Sequence, residues 1–242
     1  MSLHGKVAVV TGGSTGVGKA VGEIFAREGV RVVLAARTES RLKAAAESIR
    51  NAGGEVLAVP TDVSNREACE HLMSEAEEQF GPVDLLVNNA GVGIYNPVDK
   101  MTDADLETLL SVNLKGTIYC SQTVFPKMKE RGAGHIINVA SIAGKMGLPR
   151  ESGYNASKFG MVGFGQSLKK EAIRYGVRVH NICPGGINTP FWDSVEDKPD
   201  ISKFLDPEHV AGLVHYVAAS PERMVFQDII VHPHDEYVGW FA

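Results

Sequence analysis

Short runs of β-branched and apolar residues alternate along this chain with longer stretches of helical period. Lys6-Val7-Ala8-Val9-Val10 reads as a buried strand, and residues 19–28 as a helix after it. Arg31-Val32-Val33-Leu34-Ala35-Ala36 is a second strand. Residues 38–51 are helical, Gly53-Gly54 ends that helix, and residues 55–59 form a third strand. A helix over 65–79 leads through the Gly81-Pro82 break to a fourth strand, Val83-Asp84-Leu85-Leu86-Val87. Residues 103–129 read as one long helical region, 134–140 as a fifth strand, 154–174 as a helix and 177–183 as a sixth strand. A last strand falls within 223–233. The alternation, with no repeat and no long linker, describes one α/β domain over residues 1–242.

The connections between these elements carry the chemistry. Thr11-Gly12-Gly13-Ser14-Thr15-Gly16-Val17-Gly18 joins the first strand to its helix. Glycines let backbone approach a pyrophosphate, and a helix N-terminus offers free N–H groups and the positive end of its dipole. The spacing is G-x-x-x-G-x-G, and many glycine-rich turns are only turns; the strand before and the helix after make this one a nucleotide cradle. The second strand closes on Ala36, which has no carboxylate for a ribose 2′-hydroxyl. Arg37 follows at once and suits a 2′-phosphate by charge and fork geometry, unless it pairs locally with Glu39. Asp62-Val63 follows the third strand; Asp62 either meets an adenine amino group or, like Ser64, caps the next helix. Asn88-Asn89-Ala90-Gly91 ends the fourth strand, where asparagines can lock neighbouring strand ends and Gly91 leaves room for a ribose; a plain turn is the other reading.

Ser141 follows the fifth strand, and Tyr154 lies thirteen residues beyond it with Lys158 four further on. Four residues apart on a helix is one face. A lysine cation roughly 4 Å from a phenol, at an effective dielectric of about 20, is worth up to about 4 kcal/mol. That would bring the phenol down from about 10 by as much as roughly 3 pH units, into the range of a useful acid/base. Ser141 supplies a hydroxyl for the same reacting oxygen. Tyr-x-x-x-Lys alone is a short pattern, which an ordinary helix surface also shows. Asn113, a poor helix former inside a helical region, either frees a carbonyl to hold a water or is an ordinary polar position. Small residues in the helix that carries Tyr154 (Ala156, Gly160, Gly163, Gly165) point to close packing against another helix or subunit.

Composition narrows the classes. A net charge of −5 excludes a general nucleic-acid binder, and no apolar run reaches the length of a membrane span. Cys69, Cys120 and Cys183 form neither a disulfide framework nor a metal knuckle, and no apolar leader opens the chain, which together give a cytoplasmic expectation. His232-x-His234-Asp235 lacks further ligands, so no metal is expected.

Taken together, the glycine turn, Asn88-Asn-Ala-Gly91, Asn113, Ser141, Tyr154-x-x-x-Lys158 and Pro184-Gly185-x-x-x-Thr189 resemble the short-chain dehydrogenase/reductase family over nearly the whole chain. The resemblance implies a Rossmann fold: a doubly wound, seven-stranded parallel sheet in the order 3-2-1-4-5-6-7 with helices on both faces. It implies Tyr154 as general acid/base, Ser141 steadying the substrate oxygen, and Lys158 holding the nicotinamide ribose and depressing the phenol. Asn113 would hold a water in a relay from Lys158. Cofactor contacts would come from Gly12, Ser14, Thr15, Gly16, Val17 and Gly18, from Arg37, Asp62 and Val63, and from Asn89, Ala90 and Gly91. Pro184, Gly185, Ile187 and Thr189 would meet the nicotinamide end. The expected reaction is NADP(H)-dependent interconversion of a carbonyl and a hydroxyl on a small or medium-sized substrate, with NAD(H) as the alternative cofactor and a homodimer or homotetramer as the assembly.

The chain departs from the family at its end: the glycines that flank the last strand in many members are missing, and Tyr237-Val238-Gly239-Trp240-Phe241-Ala242 is an aromatic tail, within 233–242, that packs on its own subunit or docks on a neighbour. Phe191, Trp192, Val195, Ile201, Phe204 and Leu205 make 190–206 a lid over an apolar substrate, or the filling beneath a loop. Lys145, Met146 and Arg150 would favour an anionic or phosphopantetheine-linked substrate unless merely solvated. Lys127, Lys129, Arg131, Lys169, Lys170 and Arg174 either dock an acidic carrier, as a 3-oxoacyl carrier-protein reductase would, or form an exposed helix face. A non-catalytic nucleotide sensor is the alternative outside enzymes.

Overall fold

Strands that alternate Val, Ile and Ala on both sides need both faces of their sheet covered. The computed structural model, which describes residues 1–195 and 199–235, covers them. Strands β1 (Val7–Thr11), β2 (Arg31–Ala36), β3 (Val56–Pro60), β4 (Leu85–Asn88), β5 (Gly134–Val139), β6 (Val177–Pro184) and β7 (Asp228–Val231) form one parallel sheet in the order 3-2-1-4-5-6-7. Ala8, Val10, Val32 and Leu34 enter one core with helices α1 (Gly16–Arg27), α2 (Glu39–Asn51) and α7 (Pro207–Ala219). Val7, Val9, Val33 and Ile136 enter the other. That side is closed by α3 (Arg66–Phe80), α5 (Gly116–Arg131) and α6 (Ser152–Ala172). Each large apolar side chain so buried contributes about 1.5–3 kcal/mol. The expected topology is the one observed.

Three local expectations change. The long helix over 103–129 is two helices, α4 (Asp103–Leu109) and α5, joined by a π-helical turn over Leu110–Lys115 that holds Asn113. Helix α3 is capped by Asn65, whose side chain accepts from the Ala68 amide at 2.8 Å, rather than by Asp62 or Ser64. Asp62 instead accepts from the backbone and hydroxyl of Ser64, at 3.0 and 2.7 Å. Helix α7 occupies a stretch that carries no assignment from the sequence; Pro207 starts it and an Asp206–His209 capping box closes its first turn.

A row of polar side chains crosses four neighbouring strands of the sheet. Asn88, Asn138, Asn181 and Asp228 are register partners on β4, β5, β6 and β7. The Asn88 amide donates to Asn138 at 2.9 Å, Asn138 donates to Asn181 at 3.0 Å, and Asn181 donates to Asp228 at 2.9 Å. Asn88 also donates to Ser121 Oγ of α5, and Asn181 to the Val162 carbonyl of α6, both at 3.1 Å. Gly165 of α6 passes directly over this row; a Cβ there would overlap the Asn181 side chain.

On the other face of the sheet, His135 Nε2 and His180 Nδ1 face each other at 2.7 Å, both rings buried. Burial holds His135 well below its ordinary value, with the Arg178 charge and His180 adding to it. Burial brings His180 down to about 4, helped by Lys169 and Arg178. Both rings are therefore neutral in the fold, while the unfolded chain protonates them near pH 6.5. Below that pH the unfolded state binds more protons, so stability is complete above it and declines as pH falls toward 4. The urea midpoint should be flat above about pH 7 and fall below about 6.5. In the His135→Leu/His180→Leu variant the fall over that window should be shallower; an unchanged slope contradicts the assignment.

Candidate active site

The strand order reverses between β1 and β4, and a crevice of about 440 Å³ opens at their carboxyl ends. Thr11 builds its floor: its hydroxyl accepts from the amides of Asn89 and Ala90 at 3.0 and 3.1 Å. Asn89 Nδ2 donates back to the Thr11 and Gly12 carbonyls at 3.0 and 3.3 Å. The glycine turn is thus pinned to the end of β4. Gly12 has φ +66, and a Cβ there would come within 2.8 Å of Asn89 Nδ2. Gly18 lets α1 press onto the turn, since a Cβ would overlap the Gly12 carbonyl. Thr15, the N-cap of α1, makes no side-chain cap bond, so the first helical amides lie open at a crevice lined by Gly16 and Val17. That arrangement fits a pyrophosphate.

Arg37, Thr38 and Arg41 line one end of the crevice beside Asp62 and Val63. Glu39, the expected local partner of Arg37, bonds Lys43 at 2.6 Å. Gly116 of α5 lets Val63 sit against the helix, where a Cβ would come within 2.8 Å.

At the other end, β5 delivers Ser141 and α6 delivers Tyr154 and Lys158, all three lining the crevice. Asn113 lies just outside its lining, fully buried. Its Oδ1 accepts from the Val92 amide at 2.8 Å, and its Nδ2 donates to the Val92 carbonyl and to Ser157 Oγ, both at 3.0 Å. Its carbonyl accepts from the Thr117 hydroxyl at 3.0 Å. Asn113 is therefore a bracket between the chain after β4 and helix α6, not an ordinary polar helix position. A Cβ on Gly91 would lie 3.3 Å from Asn113 Oδ1 and 3.5 Å from Lys158 Nζ, so both groups face that gap.

The electrostatics run against the sequence-based expectation for the phenol. Burial holds Tyr154 above its ordinary value; the nearby hydroxyls of Ser141 and Tyr95 oppose this, and the Glu151 carboxylate adds to it. Lys158 is itself buried, which brings its ammonium down to about 8. Its Nζ stands 5.8 Å from the Tyr154 ring centroid. Spacing puts the two side chains on one helix face, but desolvation governs the phenol, and the amine is not among the groups that shift it. Among the described residues the hydrogen-bond acceptor recorded for Lys158 Nζ is the Met161 sulfur at 3.9 Å. A buried ammonium so weakly satisfied, at a crevice wall, fits a ribose hydroxyl.

After β6, Pro184, Gly185, Ile187 and Thr189 line the crevice near the glycine turn; a Cβ on Gly16 would come 3.0 Å from Thr189. Of the lid residues, Phe191, Trp192 and Phe204 line it, while Leu205 packs into the sheet core and bridges Ile187. Lys145 pairs with Asp228 and is absent from the crevice wall, as is Arg150. Residues 196–198 of the lid and 236–242 of the tail lie outside the described residues. Tyr95, Arg41 and Glu151 line the crevice without having been singled out from the sequence. Arg41 had a signal, one helical turn beyond Arg37; Tyr95 and Glu151 belong to no motif.

A family model described as short chain dehydrogenase matches residues 6–200. An uncharacterized oxidoreductase of Staphylococcus saprophyticus is 36% identical over 234 residues, covering 96% of this chain and 99% of that protein. Among solved structures, a metagenomic short-chain oxidoreductase in complex with NADP is 34% identical with a TM-score of 0.85, covering 96% of this chain and 99% of that one. A single-substitution variant of actinorhodin polyketide ketoreductase with NADPH is 31% identical with a TM-score of 0.87, covering 94% and 96%. Family model, relatives and sheet order agree, and the chain belongs to the short-chain dehydrogenase/reductase family of Rossmann-fold NAD(P) oxidoreductases.

Proposed function

We propose that this protein is an NADP(H)-dependent oxidoreductase that interconverts a carbonyl and a hydroxyl group on a small or medium-sized substrate, with Tyr154 as its general acid/base. The observation that carries the reading is convergence: Ser141, Tyr154 and Lys158 share one crevice with the glycine turn and Arg37. The open amides at α1 would take the pyrophosphate, with Gly12, Ser14 and Thr15 around it. Arg37 and Arg41 would take a 2′-phosphate, Asp62 and Val63 the adenine, Asn89, Ala90 and Gly91 the ribose side, and Ile187 and Thr189 the nicotinamide end. When bound, the nicotinamide supplies the hydride.

The chain's own part is placement and proton supply. Ser141 Oγ orients the substrate oxygen. Tyr154, which keeps its proton at neutral pH, gives it to that oxygen, so the buried phenol suits carbonyl reduction. Lys158 remains mostly cationic at pH 7, and its charge stabilises the phenolate left behind. Asn113 and Lys158 both face the gap at Gly91, which supports a relay of protons through them to the phenol. Phe191, Trp192 and Phe204 make the substrate end aromatic, which favours an apolar carbonyl compound.

The likeness to a polyketide ketoreductase keeps a carrier-bound 3-oxoacyl substrate as the second reading. The cations that would dock a carrier are largely engaged: Lys127 with Glu77, Arg131 with the Val83 carbonyl, and Lys169 with the Phe226 and Gln227 carbonyls. The free carbonyl compound is therefore preferred. A homodimer or homotetramer in the cytoplasm belongs to the same proposal; exposed Phe159 on α6 and Ile230 on the edge strand β7 support association, and three free thiols support a reducing compartment. No described helix is long and apolar enough to cross a membrane.

Two measurements test the reading. With ketones, aldehydes and hydroxy acids followed by NADPH absorbance, Tyr154→Phe should lower kcat by about a hundredfold to ten-thousandfold and leave NADPH affinity nearly unchanged. Equal turnover in the variant removes the mechanism, whereas NADPH bound with no turnover of any compound by the parent protein favours a sensor. Arg37→Ala should weaken NADPH binding by about tenfold or more while sparing NADH, since it removes a charge-assisted bond. A uniform loss removes the 2′-phosphate assignment.

A further inference from the structure

Tyr95 lies in the segment after β4 and folds inward onto the active-site phenol. Its ring meets Tyr154 edge-on, with centroids 5.4 Å apart at 82°, and its hydroxyl acts on the Tyr154 phenol as a donor would, opposing the effect of burial. Gly93 makes room for this: a Cβ there would stand 2.7 Å from the Tyr95 hydroxyl and 2.6 Å from Phe191. The other side of Tyr95 stacks on Trp192, at 5.7 Å and 28°. Trp192 is fixed in turn by its Nε1, which donates to the Ile187 carbonyl at 2.9 Å, and by Phe191 and Phe204, with centroids at 5.7 and 5.6 Å. An unbroken set of contacts therefore runs from the lid through Trp192 and Tyr95 to Tyr154.

We propose that Tyr95 is a positioning residue for the acid/base phenol: its hydroxyl donates to the Tyr154 oxygen, Trp192 holds it there, and the lid thereby sets how readily Tyr154 ionises. The inference rests on the reading of Tyr154 as the proton donor. Four polar groups face that phenol: Ser141 from the end of β5, Glu151 from the start of α6, Lys158 one turn on, and Tyr95. Phe191, at 6.2 Å, brings no charge. Burial and the charges of Tyr154 and Glu151 hold Tyr95 far above its ordinary value, so it stays protonated and remains the donor when Tyr154 ionises. A donated hydrogen bond strengthens when its acceptor becomes an anion, so it favours the phenolate.

The test is a titration that needs no substrate. Tyrosines carrying ¹³C at Cζ are followed by NMR in the NADP⁺-bound protein, and the Tyr154 resonance is assigned by its loss in Tyr154→Phe. Tyr95→Phe should move the Tyr154 midpoint upward by about one pH unit. Trp192→Leu should move it the same way by less, Trp192→Phe should restore it, and Tyr95→Phe/Trp192→Leu should shift it no further than Tyr95→Phe alone. A midpoint, or an ionised fraction at the highest pH the fold tolerates, unmoved in Tyr95→Phe overturns the proposal, as do additive shifts. A merely structural Tyr95 would lower the melting temperature and leave the midpoint in place. Turnover measured alongside separates the two levels: Tyr154→Phe inactive with no Tyr95 effect removes only this inference, whereas Tyr154→Phe active removes the acid/base reading beneath it.

Discussion

The row of amides from Asn88 through Asn138 and Asn181 to Asp228 is the constraint on which the site depends. Polar side chains in the middle of a doubly covered sheet cost about 1–3 kcal/mol each when left without partners. Here each one satisfies the next because the strands hold them in register. The row also reaches out of the sheet: Asn181 donates to Val162 of α6, and Gln166 of α6 donates to Asp228 at 2.6 Å. Helix α6 carries Tyr154 and Lys158, so the same bonds that tie four strands together fix the helix that supplies the phenol and the amine. The bracket from Asn113 to Val92 and Ser157 does the same from the other side. Such a network rigidifies a site because any displaced member leaves two buried groups unpaired.

Within that frame the phenol holds its proton. Burial dominates the energetics of Tyr154, and burial likewise weakens the charge of the neighbouring Lys158. In the reaction proposed above, an acid that stays protonated at neutral pH would serve a nascent alkoxide, while the reverse reaction would need additional stabilisation of the phenolate. Ser141 and Tyr95 provide part of it by hydrogen bonding. The pull of the amine, so prominent in a sequence reading, does not figure beside the desolvation of the phenol.

The strands were legible because buried parallel strands are written as apolar β-branched runs, and the glycine turn because backbone that must approach a phosphate tolerates no Cβ. Tyr154, Lys158 and Ser141 were legible by spacing. Less visible were features that depend on distant pairing. The π turn at Asn113 has no sequence signature beyond a poor helix former, and Asp228 gives no hint that it ends a row begun at Asn88. Tyr95 and Trp192 stand far apart in sequence, and only the fold stacks them. The direction of the Tyr154 shift was misread for the same reason: helical spacing gives proximity, but the degree of burial belongs to the tertiary structure. Lys145 was read as a loop cation for an anionic substrate, and the structure instead spends its charge on Asp228.

The most direct test of the account is where the hydride goes. NADPH carrying deuterium at the transferable C4 position is incubated with the protein and a ketone panel, and products are read by mass spectrometry and NMR. The account predicts one deuterium on the carbinol carbon, a proton from solvent on its oxygen, and a slower single-turnover rate with the labelled cofactor. Alcohol formed without label at that carbon, or NADPH bound with no product from any carbonyl, would contradict it.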